Sequence, residues 1–307
     1  MAEVICVAGP TACGKTGLAI SLAKAYNGEV VSCDSMQIYR GMDIGTAKPT
    51  AQEMESVPHH MLDVADPAED FSVSQYVAMA DRAVQDILSR GKTAVIAGGT
   101  GLYMDSLIAG REFAPFPQDG RRQKLEAEAD EKGMEPMLER LRQVDLQTAE
   151  RLHPSDRKRI LRALEVYEQT GKPLSWYNAQ SRQQPPKYRP VWIGIDYVNR
   201  QTLYDHINRR VDEMLCRGLV EEVQRLLSAG VPSRSTALQA IGYKEIVRAL
   251  EGQITLEQAV EQIKQGSRRY AKRQRTWFRR NDQMHWILRQ DNEDIFPKAA
   301  EILSVST

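Results

Sequence analysis

The sequence contains no long apolar run, which excludes a membrane-spanning helix. Such a helix needs roughly 18 or more apolar residues with few charges, and no segment of the 307 residues approaches that length without a charge. The amino terminus also lacks the basic segment and apolar stretch of a secretory signal. We therefore expect a cytoplasmic protein without a membrane partner.

The sequence has few cysteines and no net charge. The four cysteines are Cys6, Cys13, Cys33 and Cys216, and no pair has the CxxC spacing of a zinc or redox site. Their low density also excludes a disulfide framework and indicates reduced thiols. The 41 basic residues balance 41 acidic residues, so the total charge does not point to a particular partner. With 42% hydrophobic residues, the composition is that of a folded globular protein.

The first third of the chain alternates between strand and helix patterns. Helical spacing of apolar residues predicts helices at Lys15–Tyr26 and Ser72–Arg90, and Ser72 and Gln75 have the spacing of a capping box. Short β-branched runs predict buried strands at Glu3–Ala8, Glu29–Cys33 and Thr93–Ala97. This alternation predicts an α/β fold with a doubly wound parallel sheet, which binds ligands at the carboxyl ends of its strands.

The pattern changes near Phe113 to charged, helical sequence without strands, and this continues to Pro190. We interpret this segment as an all-helical insertion domain. Val191–Ile195 returns to a strand pattern, and apolar residues from Leu203 to Leu226 then predict one long helix that ends near Gly230. The expected domains are a core formed by residues 1–112 and 190–307, with the insertion at 113–189.

One segment matches the phosphate-binding P-loop pattern GxxxxGK[ST] completely, and it lies between a predicted strand and a predicted helix. Its backbone N–H groups can surround phosphate oxygens, and the lysine adds positive charge. The Thr16 hydroxyl is suited to Mg²⁺. The pattern does not identify the phosphate compound, so an adenine nucleotide such as ATP stays open. The predicted diphosphate-binding residues are Gly9, Pro10, Thr11, Ala12, Cys13, Gly14, Lys15 and Thr16.

Asp34 directly follows the second predicted strand, at the sheet edge where the P-loop ligand would lie. A carboxylate there can act as a general base, although aspartate at a strand end also commonly caps a turn. The third strand continues into Gly98 and Gly99 rather than ending in aspartate, which argues against a motor ATPase.

A basic segment near the carboxyl terminus, Gly266–Arg280, contains seven cations and no acid. In a helix, four of them share one face, which suits a phosphate backbone. The four are Arg268, Lys272, Arg275 and Arg279. The rings of Tyr270, Trp277 and Phe278 could stack on bases or anchor the helix to the core. A weaker basic cluster contains Lys158, Arg159 and Arg162, with acids beside it.

Two smaller features have open or ordinary interpretations. Arg217 could bind a diphosphate at a helix break, or it could pair with Glu221 or Glu222, and spacing does not decide between them. The His59-His60 pair lacks the helical spacing of metal ligands and is more typical of a turn or a hydrogen-bonded pair.

Five segments in order, GPTACGKT, CDSMQIYRGMDIGTAKP, AGGTGLY, IGYKE and RYAKRQRTWFRR, resemble those of tRNA dimethylallyltransferases, also called isopentenyl-tRNA transferases. The bacterial form is the better match, because the chain shows no distal Cys/His zinc finger. The resemblance implies a P-loop-kinase-like core, Mg²⁺, and a helical insertion that reaches the anticodon stem-loop. It also implies transfer of a dimethylallyl group from dimethylallyl diphosphate to N6 of the adenosine 3′ to the anticodon, in a subset of tRNAs, by a monomer.

The resemblance also assigns roles to residues of this chain. Asp34, Thr100 and Arg217 become catalytic candidates, with Asp34 at N6, Thr100 beside the reaction channel and Arg217 on the diphosphate. Ser35, Met36 and Gln37 would hold a flipped base. The other implied tRNA contacts are Arg122, Lys158, Arg159, Ile160, Leu161, Arg162, Ile241, Gly242, Tyr243, Lys244, Glu245, Ile246, Arg273, Gln274, Arg275, Thr276, Trp277, Phe278, Arg279 and Arg280.

Two other classes of function use part of these features. A small-molecule kinase would use the P-loop, ATP and the strand-end aspartate for phosphoryl transfer to a hydroxyl, but it leaves the basic segment without a role. A noncatalytic RNA-binding switch would use the basic segment and leave Asp34 without one. Prenyl transfer to RNA uses both.

Overall fold

A single all-parallel sheet forms the centre of the larger of two units in the computed structural model, which describes residues 4–111, 113, 119–183 and 185–305. Its six strands lie in the order β3-β2-β4-β1-β5-β6. Their bounds are β1 Val4–Ala8, β2 Gly28–Cys33, β3 His59–His60, β4 Thr93–Gly98, β5 Val191–Tyr197 and β6 Met284–Arg289.

The predicted fold class is confirmed, and four strands lie where apolar runs predicted them. These are β1, β2, β4 and β5, which are almost entirely buried. The sequence did not predict β3, which is only two residues long, or β6, an edge strand in which only Met284 and Ile287 are buried. A continuous apolar run marks only strands that are covered on both faces.

Helices follow or separate these strands. In chain order they are α1 Lys15–Ala25, α2 Ala51–Met54, α3 Val73–Ser89, α4 Gly101–Ala109, α5 Arg121–Lys132, α6 Met134–Val144, α7 Leu146–Ala149, α8 Arg157–Thr170, α9 Leu174–Gln183, α10 Arg200–Cys216, α11 Leu219–Ser228, α12 Tyr243–Leu250, α13 Leu256–Phe278 and α14 Phe296–Val305. The predicted capping box of Ser72 and Gln75 opens α3. No helix within the described ranges is both long enough and apolar enough to cross a membrane.

The prediction of one long helix between Leu203 and Gly230 is wrong, because the structure has two helices there, α10 and α11. Arg217 caps the carboxyl end of α10, and Gly218 adopts a left-handed conformation with φ +95° before α11 begins. Glycine reaches that conformation at little cost, so the helix ends there without steric strain.

The smaller unit comprises residues 109–187, and the larger comprises 1–108 and 188–307. The sequence had placed the boundaries at 113 and 189. Within its described residues the smaller unit contains α5 to α9 and no strand. Its own core is formed by side chains such as Leu125, Leu141, Ile160 and Leu164.

Glu29, the second residue of β2, has a buried carboxylate. It accepts hydrogen bonds from Arg90 (2.8 Å) and Lys92 (2.7 Å) and pairs with His60 (2.7 Å). These partners, Arg90 first, hold the pKa of Glu29 well below its ordinary value of 4.5. The ordinary interpretation of the histidine pair holds, since His60 is hydrogen-bonded and the pair forms β3.

Candidate active site

The P-loop connects the carboxyl end of β1 to the start of α1. Gly9 and Gly14 have φ values of +153° and +94°, which favour glycine. A side chain at Gly9 would also place its Cβ 2.4 Å from the backbone oxygen of Ile195. The Lys15 ammonium donates to the backbone oxygen of Pro10 at 2.7 Å. The loop is therefore closely packed against β5, with its lysine folded across it.

A cavity of about 430 Å³ opens beside the P-loop. Thr11, Ala12, Gly14, Lys15 and Thr16 line one side of it, while α10 lines another. Five cationic side chains line it, against three carboxylates, so the cavity suits an anion. The cations are Lys15, Lys48, Arg209, Arg210 and Arg217.

Arg210 is a site residue that the sequence analysis missed. It lines the cavity from α10, and burial lowers the pKa of its guanidinium while the nearby Asp34 charge opposes this shift. Arginine stays charged even so. Arg217, the diphosphate-binding candidate from the sequence, is exposed and lines the same cavity. The two residues are seven positions apart and so lie on one helical face, a signal that could have identified Arg210.

Asp34 serves the turn that follows β2. Its Oδ1 accepts from the backbone N–H groups of Met36 (2.8 Å) and Gln37 (3.4 Å). The turn-capping interpretation is therefore correct as far as this oxygen is concerned. Asp34 nevertheless lines the P-loop cavity and also a second cavity next to it, so capping does not remove it from the site.

The second cavity measures about 370 Å³ and differs in character from the first. Ser35 and Met36 line it, together with the segment Ile241–Lys244 and the basic helix residue Arg273. Six residues line both cavities, which therefore adjoin. The six are Thr11, Asp34, Thr46, Arg210, Met214 and Tyr270.

Thr100 lies beside the Asp34 turn. Its Oγ1 accepts from the backbone N–H of Ser35 at 3.0 Å, and it also contacts the Tyr270 hydroxyl, whose pKa is raised by burial and by the charge of Asp34. Three of the predicted site residues, Asp34, Ser35 and Thr100, are therefore brought together at the carboxyl ends of β2 and β4.

The loop after β2 is held by two polar side chains. Glu222 of α11 is buried, and its carboxylate accepts from the backbone N–H groups of Asp43 (2.9 Å), Ile44 (2.8 Å) and Gly45 (3.0 Å). The Gln37 amide donates to the backbone oxygens of residues 46 and 47 at 3.3 and 3.1 Å. The Gln37 side chain, which the resemblance assigns to holding a flipped base, therefore uses its amide N–H groups to support the cavity wall.

The basic stripe predicted on α13 requires correction. Arg275 donates from Nε to the buried carboxylate of Asp196 at 2.6 Å, and Arg268 binds Asn208 (2.6 Å) and Glu261 (3.2 Å). The prediction considered only acids within the segment, whereas these partners come from β5, α10 and the earlier part of the helix. The exposed cations of the segment are Arg269, Lys272, Arg273, Arg279 and Arg280.

Several residues assigned to RNA contact have buried side chains and so present little surface to an RNA, although Tyr243 also lines the second cavity. Phe278 packs in the core, so its ring anchors the helix, and the indole N–H of Trp277 donates to Asp105 at 2.9 Å. The assigned residues with buried side chains are Ile160, Leu161, Tyr243, Glu245, Ile246, Gln274 and Phe278, and Gly242 is buried as well.

The cations assigned in the smaller unit are mostly paired within it. Arg122 binds Glu126 at 2.8 Å, Arg162 binds Glu165 at 2.9 Å and Arg159 lies 3.4 Å from Asp156. Lys158 is exposed on α8. This local pairing follows from the acids already visible beside the cluster in the sequence.

The P-loop cavity has donors that fit a magnesium ion. Thr16 is exposed at the start of α1, and the carboxylates of Asp34, Glu53 and Glu213 line the same cavity. The described part of the chain contains no cluster of three or more His, Cys, Asp or Glu residues able to form a metal cage. Mg²⁺ commonly uses one or two protein oxygens together with phosphate oxygens and water, so this sparse set suits it.

A sequence profile of the family described as IPP transferase matches residues 37–281, which is more than half of the chain. The chain belongs to the IPP transferase family. This family match begins at Gln37, at the end of the turn that Asp34 caps, and includes the Ile241–Ile246 segment and α13. The P-loop precedes the matched range.

Individual relatives of this IPP transferase family member agree. A protein of Caldanaerobacter subterraneus subsp. tengcongensis named tRNA dimethylallyltransferase is 50% identical over 291 residues, which are 94% of this chain and 92% of the relative. The crystal structure of the full-length tRNA isopentenylpyrophosphate transferase of Bacillus halodurans is 40% identical, with a TM-score of 0.74, and covers 100% of this chain and 96% of that one.

A second solved structure extends the likeness to eukaryotes. It is a dimethylallyltransferase described as acting on tRNA, with a TM-score of 0.81 and 28% identity. The match covers 98% of this chain and 77% of that one. The similarity therefore extends over both units of the chain, beyond the P-loop core that many phosphate-binding proteins share.

Proposed function

We propose that this chain transfers a dimethylallyl group from dimethylallyl diphosphate to N6 of the adenosine 3′ to the anticodon in a subset of tRNAs, releasing diphosphate. Membership of the IPP transferase family and relatives named tRNA dimethylallyltransferase support the reaction class and tRNA as the substrate. The single observation that best supports the mechanism is that Asp34 lines two adjoining cavities. One is cationic and bordered by the P-loop, and the other is bordered by the basic helix.

The P-loop cavity is suited to a departing diphosphate. An allylic carbon–oxygen bond ionises readily once charge on the leaving group is stabilised. Lys15, Arg210 and Arg217 supply fixed positive charge for this purpose, and the positive end of the α1 dipole faces the same loop. Mg²⁺ held by Thr16 and the diphosphate oxygens would neutralise further charge.

Asp34 is suited to the nucleophile. The exocyclic amine of adenine is a poor nucleophile because its lone pair is delocalised into the ring, so a carboxylate that accepts a proton as the C–N bond forms assists attack. The Oδ1 atom is held by two backbone N–H groups, which fixes the side chain before substrate arrives. The proton from N6 then passes to the carboxylate while the electron pair of the allylic C–O bond leaves with diphosphate.

The second cavity is suited to the flipped adenine. A base stacked in the anticodon loop must be extruded to reach an enclosed site, at a cost of a few kcal/mol. Ser35, Met36, Tyr270 and Arg273 border the space in which it would lie. Exposed cations on α13 can then contact the RNA backbone around the extruded nucleotide.

We also propose that the protein acts as a monomer in the cytoplasm. The larger unit by itself lines both cavities, so the proposed reaction needs no residue from a second copy. Sedimentation of the protein alone and with tRNA measures this directly, and a stable dimer would contradict it.

A labelling experiment tests the reaction. The protein is incubated with Mg²⁺, bulk tRNA and either dimethylallyl diphosphate labelled in its prenyl group or ATP labelled in its γ-phosphate. We expect prenyl label in RNA, on an adenosine adjacent to the anticodon. Phosphate label transferred from ATP to an acceptor hydroxyl in a parallel incubation with small alcohols, with no prenyl label in RNA, would instead indicate a P-loop kinase.

A further inference from the structure

Gln274 occupies an unusual place for a residue of a basic helix. Its side chain points inward from α13 and is 5% exposed. The Oε1 atom accepts from the backbone N–H of Thr11 in the P-loop at 2.8 Å, and Nε2 donates to the backbone oxygen of Gly99 at 3.0 Å. One side chain therefore joins three segments of the chain that are far apart in sequence.

The turn after β4 is built to receive this side chain. A Cβ at Gly99 would lie 2.1 Å from Nε2 of Gln274, and a Cβ at Gly101 would lie 2.2 Å from the Trp277 ring. The Trp277 indole N–H in turn donates to Asp105 on α4. The glycines of AGGTG thus admit two side chains of α13, which accounts for a glycine-rich turn that the P-loop chemistry does not use.

We propose that Gln274 is a positioning residue for the reaction, which sets the P-loop relative to the turn that carries Thr100. A carboxamide accepts from one backbone group through its oxygen and donates to another through its nitrogen, and it stays uncharged at every pH in the range of the experiment. The Thr11 N–H and the Gly99 oxygen have fixed directions, so the two hydrogen bonds determine the distance between the diphosphate cradle and the nucleotide side of the site. This inference rests on the function proposed above.

The consequence is expected in the use of dimethylallyl diphosphate. Loss of the bond to Gly99 leaves a buried backbone oxygen unsatisfied, and loss of the bond to Thr11 releases the N–H that holds the P-loop, so the P-loop can shift. Displacement of reacting groups by about 1 Å can lower a rate by about a hundredfold. Because the side chain is buried, tRNA affinity should change little.

Two variants of nearly the same size separate positioning from bulk structure. Gln274→Glu retains the shape, but its ionised carboxylate presents an acceptor to the Gly99 oxygen and cannot donate. When protonated, the same side chain again donates to Gly99 and accepts from Thr11. Gln274→Met removes both polar atoms and does not titrate. A buried carboxyl has a raised pKa, which brings this titration toward an accessible pH.

The experiment measures kcat/KM for dimethylallyl diphosphate from pH 5.5 to 8.5, with wild type and both variants. The kcat/KM of each variant is divided by that of wild type at the same pH, because other groups around the cavity titrate in wild type and in both variants. Those charged or titratable groups are Lys15, Asp34, Lys48, Glu53, His206, Arg209, Arg210, Glu213, Arg217 and Tyr270.

For Gln274→Glu we expect a ratio about 30-fold below wild type at pH 8.5, which recovers by about tenfold at pH 5.5. Gln274→Met should be low at every pH, and tRNA dissociation constants should stay within about twofold of wild type. A flat pH ratio for Gln274→Glu, or wild-type kcat/KM in Gln274→Met, would overturn the proposal.

A matched control removes a buried hydrogen bond of the same unit between two residues that line neither cavity. Tyr76→Phe deletes the bond from the Tyr76 hydroxyl to the backbone oxygen of Ser32 (3.0 Å). It should lower thermal stability and leave kcat/KM and its pH profile unchanged. If wild type itself fails to prenylate tRNA, the proposed function fails, whereas an active wild type with an unaffected Gln274→Met contradicts only the positioning role.

Discussion

At the scale of single residues, Asp34 shows how one carboxylate can serve both the fold and the reaction. Its Oδ1 caps the turn after β2, which is why strand-end aspartates are usually structural. Its place on the wall of both cavities is what distinguishes it from an ordinary cap. The two roles predict different responses to substitution.

Asp34→Asn should separate those roles. Asparagine retains an oxygen for the two backbone N–H groups but cannot take a proton from N6, so we expect folding and tRNA binding near wild type and a chemical step about a hundredfold slower. Single-turnover labelling of tRNA measures the step. Asp34→Ala, which loses the cap as well, should also lower thermal stability. A wild-type rate in Asp34→Asn would exclude a proton-accepting role.

Arg210 is predicted to act on the diphosphate. Arg210→Gln removes a partly buried positive charge from the P-loop cavity, and we expect kcat/KM for dimethylallyl diphosphate to fall by roughly a hundredfold, the scale of losing one electrostatic stabiliser. Steady-state kinetics with saturating tRNA measures the change. Arg225→Gln also removes one positive charge, from an exposed position on α11 that lines neither cavity. This variant should leave kcat/KM for dimethylallyl diphosphate unchanged. Equal effects of both variants would point to a general field instead.

At the scale of elements, the buried ion cluster around Glu29 fastens the end of α3 to β2 and β3. Glu29→Gln leaves Arg90 and Lys92 without their carboxylate, and we expect about 2 kcal/mol lower unfolding free energy at pH 7. Because the folded pKa lies below the ordinary 4.5, this stabilisation is present above about pH 4.5 and is lost as pH falls further. Urea unfolding of both proteins at pH 7 and pH 4 should show the difference shrinking. A constant difference would contradict the ionic origin.

The same scale shows how far sequence patterns reach. Strands covered on both faces, such as β1 and β4, are visible in the sequence as apolar runs. The P-loop is visible because phosphate binding fixes the spacing of its glycines, lysine and threonine. The pattern could not show that Gly218 ends α10, because apolar spacing continues across it. Nor could it show that Arg275 pairs with Asp196, since that acid lies 79 residues away in sequence. Patterns report local periodicity, while pairing depends on the fold.

At the scale of the whole molecule, a net charge of zero conceals an uneven distribution. The chain has 41 cations and 41 anions, yet many charges neutralise one another locally, including Arg275 and Arg268 on α13. RNA affinity should then depend on the cations that remain exposed, because each phosphate contact releases counterions and adds to the salt dependence. Lys272 and Arg273 meet this condition, and Arg273 also borders the second cavity.

Replacing Lys272 and Arg273 together by glutamine should weaken tRNA binding and reduce the slope of log affinity against log salt by about one to two. Titrations from low to moderate salt measure the slope, with Arg82→Gln combined with Arg225→Gln as a control of equal charge on other exposed helices. Arg275→Gln should behave differently, since it leaves the Asp196 carboxylate buried without its nearest cation and so lowers stability more than the salt slope. If the control pair flattens the slope as much as the α13 pair, RNA binding follows total charge, and α13 has no special part in it.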